Sequence, residues 1–312
     1  MENKEEIGMA FEIFADLHNH TFASDGDFSP VEMVAAGESA GIRFLGITDH
    51  DTLDGLVPAL ARASESTVTV VPGVEVSLCF KRPHFTGTLH LLCYFNAHRL
   101  GDDEFVQEFS DLLSQGRGRA LVTARMEKIN HWFGPRGKQP LMDRDMTPAD
   151  LAPYGDRISR RHFALALEEK LGIGDGARRN TILANKSPAY LPSGIPLSKM
   201  ADFIDRGGIL PILAHPAAGS FPGEGHYKEV LPPLEVVEGL LPELLDAGVR
   251  GLEVHYPGHT PELESRLMTI ARERNLLVTG GSDCHGDAQR PAGVAGMSRE
   301  EFERFEQALN TL

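Results

Sequence analysis

Apolar residues along the chain fall into two alternating patterns, short continuous runs and helical-period stretches, and their order predicts the architecture. Phe11 to Leu17 reads as a strand. Ser29-Pro-Val-Glu32 supplies a helix N-cap, a proline at the first helical position and a capping-box glutamate, and the helix runs to a stop at Gly41. Ile42 to Thr48 is the next strand, and a helix beginning near Asp51 leads to the β-branched run Thr67 to Val71. Gly73-Val-Glu75-Val and then Leu89 to Phe95 follow as strand segments. The second half repeats the theme: helix Leu197 to Asp205, strand Ile209 to Ala214, helix Pro242 to Ala247, strand Gly251 to His255. A helix started by Thr260-Pro-Glu, strand Leu276 to Thr279 and a last helix capped at Ser298 with Glu301 complete it. Alternating β and α units predict an α/β fold with a mostly parallel sheet covered by helices. Between residues 100 and 196 the period turns helical (Glu104 to Gln115, Ala120 to Trp132, Ser159 to Leu171), broken by segments such as Gly134-Pro-Arg-Gly137. This stretch reads as a helical insertion that contributes substrate contacts, carried on a body formed by 11–99 and 197–312.

Composition narrows the function classes. With 41% hydrophobic and 24% charged residues in 312, the chain can bury a full-sized core. No apolar stretch approaches the roughly 20 residues of a membrane span, and the polar, acidic start does not resemble a signal peptide, so no membrane partner is expected. Thirty Lys and Arg against 45 Asp and Glu give a net charge of −15, which argues against binding duplex DNA through a broad basic face. Cys79, Cys93 and Cys284 form no C-x-x-C pair, pointing to a reducing, cytoplasmic setting and away from a cysteine-built zinc site.

The candidate chemistry lies in the placement of the histidines. His18 and His20 are two apart on an extended segment and so project from the same face. Asp25 follows in the next loop, His50 closes the second strand, and Glu75 ends the third. His90 lies in the next strand, His215 follows Ile212-Leu-Ala, and Asp283 and His285 follow the last strand. Nine imidazoles and carboxylates therefore converge on one edge, at the carboxyl ends of successive strands, where α/β folds place their sites. Mixed imidazole and carboxylate ligands suit manganese, iron or zinc better than calcium or magnesium. Cations held among these groups would create a local attraction for a phosphate dianion. No serine or cysteine nucleophile motif is present, which makes water the expected nucleophile. Asp16 and Asp49 are expected to orient neighbouring ligands, and His84, His98, His131 and His226 to be ordinary surface or core histidines.

In order, Asp16-Leu-His-Asn-His20, Ser24-Asp-Gly26, Thr48-Asp-His-Asp51, Gly73-Val-Glu75, His90, Ala214-His-Pro216 and Gly281-Ser-Asp-Cys-His285 resemble the PHP (polymerase and histidinol phosphatase) domain family over nearly the whole chain. The resemblance implies a distorted (β/α)7 TIM-like barrel and three divalent metal ions: one on His18, His20, Glu75 and Asp283, a second on Glu75, His90 and His215, and a third on Asp25, His50 and His285. Ile158-Ser-Arg-Arg-His162 and Asn185-Lys-Ser-Pro188 are similar to stretches of the subfamily acting on nucleotides and short oligoribonucleotides, which assigns Arg160, His162 and Lys186 to substrate phosphate. Gly251-Leu-Glu-Val-His-Tyr-Pro-Gly-His259 is similar to a strand and loop beside that site, where His259 either meets substrate and protonates the leaving oxygen or binds the turn before Thr260. The implied activity is a metal-dependent phosphatase or phosphodiesterase, a hydrolase acting on ester bonds by metal-activated water. Its substrate would be a small nucleotide, such as a nucleoside 3′,5′-bisphosphate, or the 5′ end of short RNA. The alternatives are histidinol phosphate as substrate and, in a different class, a non-catalytic metal-binding regulatory module. Oligomeric state is left open.

Overall fold

The computed structural model describes residues 13–155, 158–222 and 231–312. Strands β1 (Ala15–Asp16), β2 (Phe44–Ile47) and β3 (Thr69–Arg82) run parallel, with helices α1 (Pro30–Ser39) and α2 (Leu56–Ala63) between them. A tight reversal then sends β4 (Phe85–Tyr94) back antiparallel along β3. After the helical segment come β5 (Ile195–Pro196), which pairs with β3, and β6 (Leu210–Leu213), antiparallel to β4; β7 (Gly251–His255) and β8 (Leu277–Gly280) continue parallel to β6. Only β4 runs against the rest of the main path, because a hairpin too short for a crossover helix cannot return a strand in parallel. The sheet order β1-β2-β3-β4-β6-β7-β8 comes nearly full circle: the Leu17 amide donates to the Gly280 carbonyl at 3.1 Å. The fold is thus a mixed α/β barrel of seven strands.

Two apolar layers follow from strand alternation. Ala15, Val71, Leu92, Tyr94 and Ile212 fill the inside together with Phe302 and Phe305 of the last helix, and Leu91, Cys93, Leu213 and Leu252 pack outward against the helices. The α1 capping box forms as expected, with Ser29 accepting from the Glu32 amide and Glu32 accepting from the Ser29 amide; Ser298 and Glu301 do the same at the last helix.

Several boundaries differ from expectation. β3 runs seven residues beyond Glu75, so this carboxylate sits within a strand and not at its end; Leu78 and Phe80, on the extension, pack with Phe85 and Leu89 of β4, which starts earlier than Leu89. The helix expected near Asp51 begins at Leu56 because Thr48 to Gly55 is taken up by the site. Pro242 lies inside a helix (Leu234–Asp246) and does not start one: Leu234, Val237, Leu241 and Leu244 bury one continuous face that spans it. Phe11, Glu12 and His226 lie outside the described residues, and His84, His98 and His131 are exposed.

Between β4 and β5, α3 (Asp103–Ser114) lays Phe105, Phe109 and Leu112 on the barrel core. α4 (Arg119–Phe133), α5 (Pro148–Leu151), α6 (Arg160–Glu169) and α7 (Gly176–Leu183) instead share a core of their own around Ile129, Phe133, Met146, Phe163, Leu167 and Ile182. We call this group the cap. Arg161 ties it to the barrel by donating to the Asp25 carbonyl and pairing with Asp27 at 3.2 Å. A buried carboxylate pins its centre: Asp150 accepts two bonds from Arg144, at 2.6 and 2.8 Å, and one each from the Thr147 amide and hydroxyl at 2.8 Å.

The Arg144 guanidinium, then the Thr147 donors, hold the Asp150 carboxyl well below its ordinary range. A depressed folded value means stability present above the unfolded value near 4 and lost as pH falls below it. Asp150→Asn should therefore cost about 1–2 kcal/mol at neutral pH, as for a lost cap with a partly exposed ion pair, and the gap from wild type in chemical denaturation should narrow below about pH 4.

Candidate metal centre

The rim of the barrel is laced by backbone hydrogen bonds between the very segments that carry the candidate ligands. The His20 amide donates to Cys284 O at 2.9 Å, Thr48 to Asn19 O at 2.9 Å, Glu75 to Thr48 O at 3.1 Å, and Ala214 to His90 O at 3.1 Å. Close approach matters at Gly281, where a Cβ would lie 2.4 Å from the His18 Cβ. Three turns near the rim use backbone that only a few residue types tolerate: Asp51, His215 and Asp283 have φ of 51°, 30° and 50°.

All nine expected ligands meet there. Glu75, 1% exposed, is the hub: Oε2 lies 3.2 Å from His18 Nε2, 3.1 Å from His20 Nε2 and 3.1 Å from His50 Nδ1, and Oε1 lies 2.8 Å from His90 Nδ1 and 3.0 Å from His215 Nε2. Asp283 Oδ1 is 3.1 Å from His20 Nε2 and 3.5 Å from His18 Nε2; Asp25 Oδ1 is 3.4 Å from His285 Nε2. Donor atoms converge in three groups, each within 4.8 Å: His18, His20, Glu75 and Asp283; His20, Asp25, His50 and His285; and His50, Glu75 and His90. The first coincides with an expected set and the second adds His20 to another. The third holds His50 where His215 was expected; His215 Nε2 lies 3.0 Å from Glu75 Oε1 and 3.4 Å from His90 Nδ1, outside the group.

These residues fit a metal ion on two physical grounds. His20 Nδ1, His50 Nδ1, Asp25 Oδ1 and Glu75 Oε2 are fully buried with no hydrogen-bond partner, which is costly unless something else satisfies them. Burial opposes charge on His18, yet the carboxylates of Glu253, Glu75 and Asp283 outweigh it and raise its pKa well above the ordinary value; His20 is likewise pushed up, to about 10, by Asp283 and Glu75. The site is short of positive charge, which protons or cations must supply.

Supporting carboxylates fix the ligands. Asp16 accepts from Ser282 N and Oγ (3.0 and 2.6 Å) and from Gly293 N (2.8 Å), and Asp49 from Thr21 N and Oγ1 (both 2.7 Å) and Ser24 Oγ (2.6 Å), so both hold loops beside the candidate ligands. Glu253 was missed. It lies on β7, fully buried, with Oε1 2.9 Å from His18 Nδ1 and Oε2 accepting the His215 amide at 2.7 Å. Tyr256 and Arg290 hold the far oxygen of Asp283, at 2.9 and 2.8 Å.

Above the rim opens a cavity of about 620 Å³ between barrel and cap, floored by Asp25, His50, Glu75, His90, His215, Asp283 and His285. Six guanidiniums line it: Arg117, Arg125, Arg160, Arg161, Arg179 and Arg290. Of the expected phosphate contacts, Arg160 lines the cavity. His162 does not: its Nδ1 accepts the Ser159 amide at 3.1 Å as a helix cap, and its ring stacks on Tyr154. Lys186 is exposed and outside the lining. His259 is held by backbone on both nitrogens, Nδ1 donating to Val254 O at 2.8 Å and Nε2 accepting from the Ala217 amide at 3.2 Å. Burial takes its pKa down to about 4, which suits the turn-binding role and not proton donation near neutrality.

The rim thus gathers nine such donors, in clusters able to bind metal, beneath an arginine-lined cap. Comparison with known proteins agrees. Residues 16–133 match the PHP domain. The chain is 26% identical to the 5′-3′ exoribonuclease Rnm of Escherichia coli over 96% of this chain and 97% of that one. It is 27% identical to the 3′,5′-nucleoside bisphosphate phosphatase of Chromobacterium violaceum over 89% and 90%. A crystal structure from Bifidobacterium adolescentis, described as a metal-dependent phosphoesterase, superposes with a TM-score of 0.70 at 26% identity, covering 95% of this chain and 96% of that one.

Because Glu253 orients one imidazole and one ligand-bearing backbone, Glu253→Gln should weaken metal binding by about 10–100-fold while leaving the fold intact. A manganese titration followed by calorimetry, beside a circular dichroism spectrum, reads both.

Proposed function

We propose that this protein is a metal-dependent phosphoesterase that hydrolyses a phosphate ester of a small nucleotide, such as a nucleoside 3′,5′-bisphosphate, or the 5′ end of short RNA. The observation that carries this reading is the juxtaposition, in one cavity, of the nine-donor floor with a wall of guanidiniums. His18, His20, Glu75 and Asp283 would hold one ion, Glu75, His90 and His215 a second, and Asp25, His50 and His285 a third. Such ions supply a water nucleophile at neutral pH and neutralise charge on a phosphoryl group; manganese, iron and zinc all suit these donors.

The chain's own residues do the rest. Glu253 fixes the ring of His18 and the backbone of His215, and Tyr256 and Arg290 fix Asp283. Arg160 offers a fork to a phosphate oxygen from the cap side. Both E. coli Rnm and the C. violaceum phosphatase act on substrates of this chemistry by name and align over nearly the full length. A wall of cations is a poor receptor for the ammonium of histidinol phosphate, and the presence of every ligand argues against a non-catalytic module. The reading includes a barrel of 11–99 and 197–312 with 100–196 as a helical insertion; within it the separate core draws on residues 129–189, while α3 packs on the barrel. It also includes a cytoplasmic setting, which suits the free thiols Cys79, Cys93 and Cys284, and a small substrate, not duplex DNA. Among the described residues no helix is long and apolar enough to cross a membrane.

His18→Ala and Asp283→Ala should each lower phosphate release from manganese-loaded protein by at least about 10³-fold with the fold retained, as loss of a core ligand group does. Wild-type rates in both variants, on a panel of nucleotide esters, would remove the metal assignment; no release from any nucleotide by wild type would remove the substrate class.

A further inference from the structure

Cap and barrel do not share an apolar core: among the described residues the two clusters have no member in common, so polar contacts carry much of the cap's seating. Two of these contacts come from arginines. Arg117, where the chain crosses from α3 to α4, pairs with the Asp51 carboxylate and donates from Nη2 to Ser77 Oγ at 3.1 Å. Arg161, in the first turn of α6, donates to the Asp25 carbonyl and pairs with Asp27 at 3.2 Å. Both land beside the same donor group. Asp51 follows His50 directly, its amide donates to Glu75 O at 3.1 Å, and its carboxylate also accepts from the Ser77 amide and hydroxyl at 2.7 and 2.8 Å. Asp25 is itself a donor of the group, and the Asp27 amide donates to His285 O at 2.7 Å. Gly26 leaves no slack between Asp25 and Asp27, since a Cβ there would lie 2.3 Å from the His20 carbonyl oxygen. In the group His20, Asp25, His50 and His285, three donors are therefore one residue or one backbone bond from an arginine of the cap. Asp283, in the neighbouring group, is instead held from within the barrel by Tyr256 and Arg290. The contacts differ in weight. The Asp27 side chain is 57% exposed and its ion pair contributes little alone, whereas Asp25 and Asp51 are buried, where a bond from a charged donor counts for more.

We propose that Arg117 and Arg161 are positioning residues that couple the seating of the cap to the donor group His20, Asp25, His50 and His285, so that an ion in that group and a seated cap stabilise one another. The inference rests on the metal reading above and adds a regulation of that site: one ion of the centre, and not the others, answers to the cap. Coupling of this kind is reciprocal, so whatever loosens the cap weakens that ion and whatever removes the ion loosens the cap. The cavity walls then close over a loaded floor and relax over an empty one.

The test uses the full chain after chelator treatment and two readouts: calorimetric titration with manganese, and hydrogen exchange of the cap segments 117–122 and 158–164 with and without the ion. Manganese should slow exchange in both segments of wild type, and His285→Ala should lose that slowing. Arg161→Met and Arg117→Lys should each weaken one binding event by about tenfold, the event that His285→Ala removes, and leave the others within about twofold. Adding Arg161→Met to His285→Ala should weaken the remaining events no further, as a cycle through one shared ion requires. Arg117→Lys keeps a charge beside the buried Asp51 carboxylate while losing the fork, and serves if the methionine variant does not fold. An arginine that merely held the structure together would lower every event at once. Equal weakening of all events in both variants, or wild-type affinities throughout in both, would overturn the coupling while leaving the metal reading intact. A wild type that binds no manganese would remove the metal reading and the coupling with it.

Discussion

One carboxylate organises this protein. Glu75 stands within contact distance of five imidazoles, three on one oxygen and two on the other, and each imidazole arrives on a different strand or loop except His18 and His20. So many titratable groups do not gather in a buried volume by local preference, because burial disfavours their charged forms and crowding disfavours like charges. They are held there by backbone. The ladder from Cys284 to His20, from Asn19 to Thr48, from Thr48 to Glu75 and from His90 to Ala214 closes around the rim, and closing a barrel is what brings the first and last ligand segments together. Much of the rest of the site follows from keeping that ring shut: the inward Tyr94, whose hydroxyl donates to the Leu17 carbonyl at 2.9 Å, and the glycine at 281, which admits His18.

Charge is layered above the ring. The chain carries −15 overall, yet the cavity has carboxylates confined to its floor and margins and guanidiniums in its walls. A broad basic surface would attract any polyanion, whereas these guanidiniums are gathered inside one chamber of about 620 Å³.

Much of this was legible in the sequence because it is local. Ser29 with Glu32 and Ser298 with Glu301 announce helix starts through bonds made within four residues, and His18 with His20 share a face through the two-residue period of extended chain. Glu253 was not legible, since a glutamate between Leu252 and Val254 gives no local sign that its two oxygens meet residues 235 and 38 positions away. The extension of β3 past Glu75 was hidden for the same reason: its partners come from a hairpin and from Ile195, over a hundred residues on. Arg117 and Arg125 carry no local sign of a role in the sequence and reach the cavity only through the fold of the cap. His162 and Lys186, suggested by resemblance, stand here in a helix cap and at an exposed position. α7 went unread because Gly176-Ala-Arg-Arg-Asn has no apolar stripe before Ile182 and Leu183.

The same geometry bears on stability. Positive φ at Asp51, His215 and Asp283 costs free energy, as does each buried donor left without a partner. None of this helps the chain fold, and it is sustained by groups that do nothing chemical: Asp16 with its donors on His18, Asn19, Ser282 and Gly293, and Asp49 with Thr21 and Ser24. Burial raises the pKa of both carboxyls while those donors hold it back, so these carboxylates keep the loops in place only while the donors stay aligned. A cation between the converging imidazoles would relieve the cost at its source, by replacing protons the site otherwise takes up. Metal binding and folding would then be coupled through one set of residues, an ion recovering the cost of the buried donors that lack a partner while the backbone cost of the turns stays with the fold.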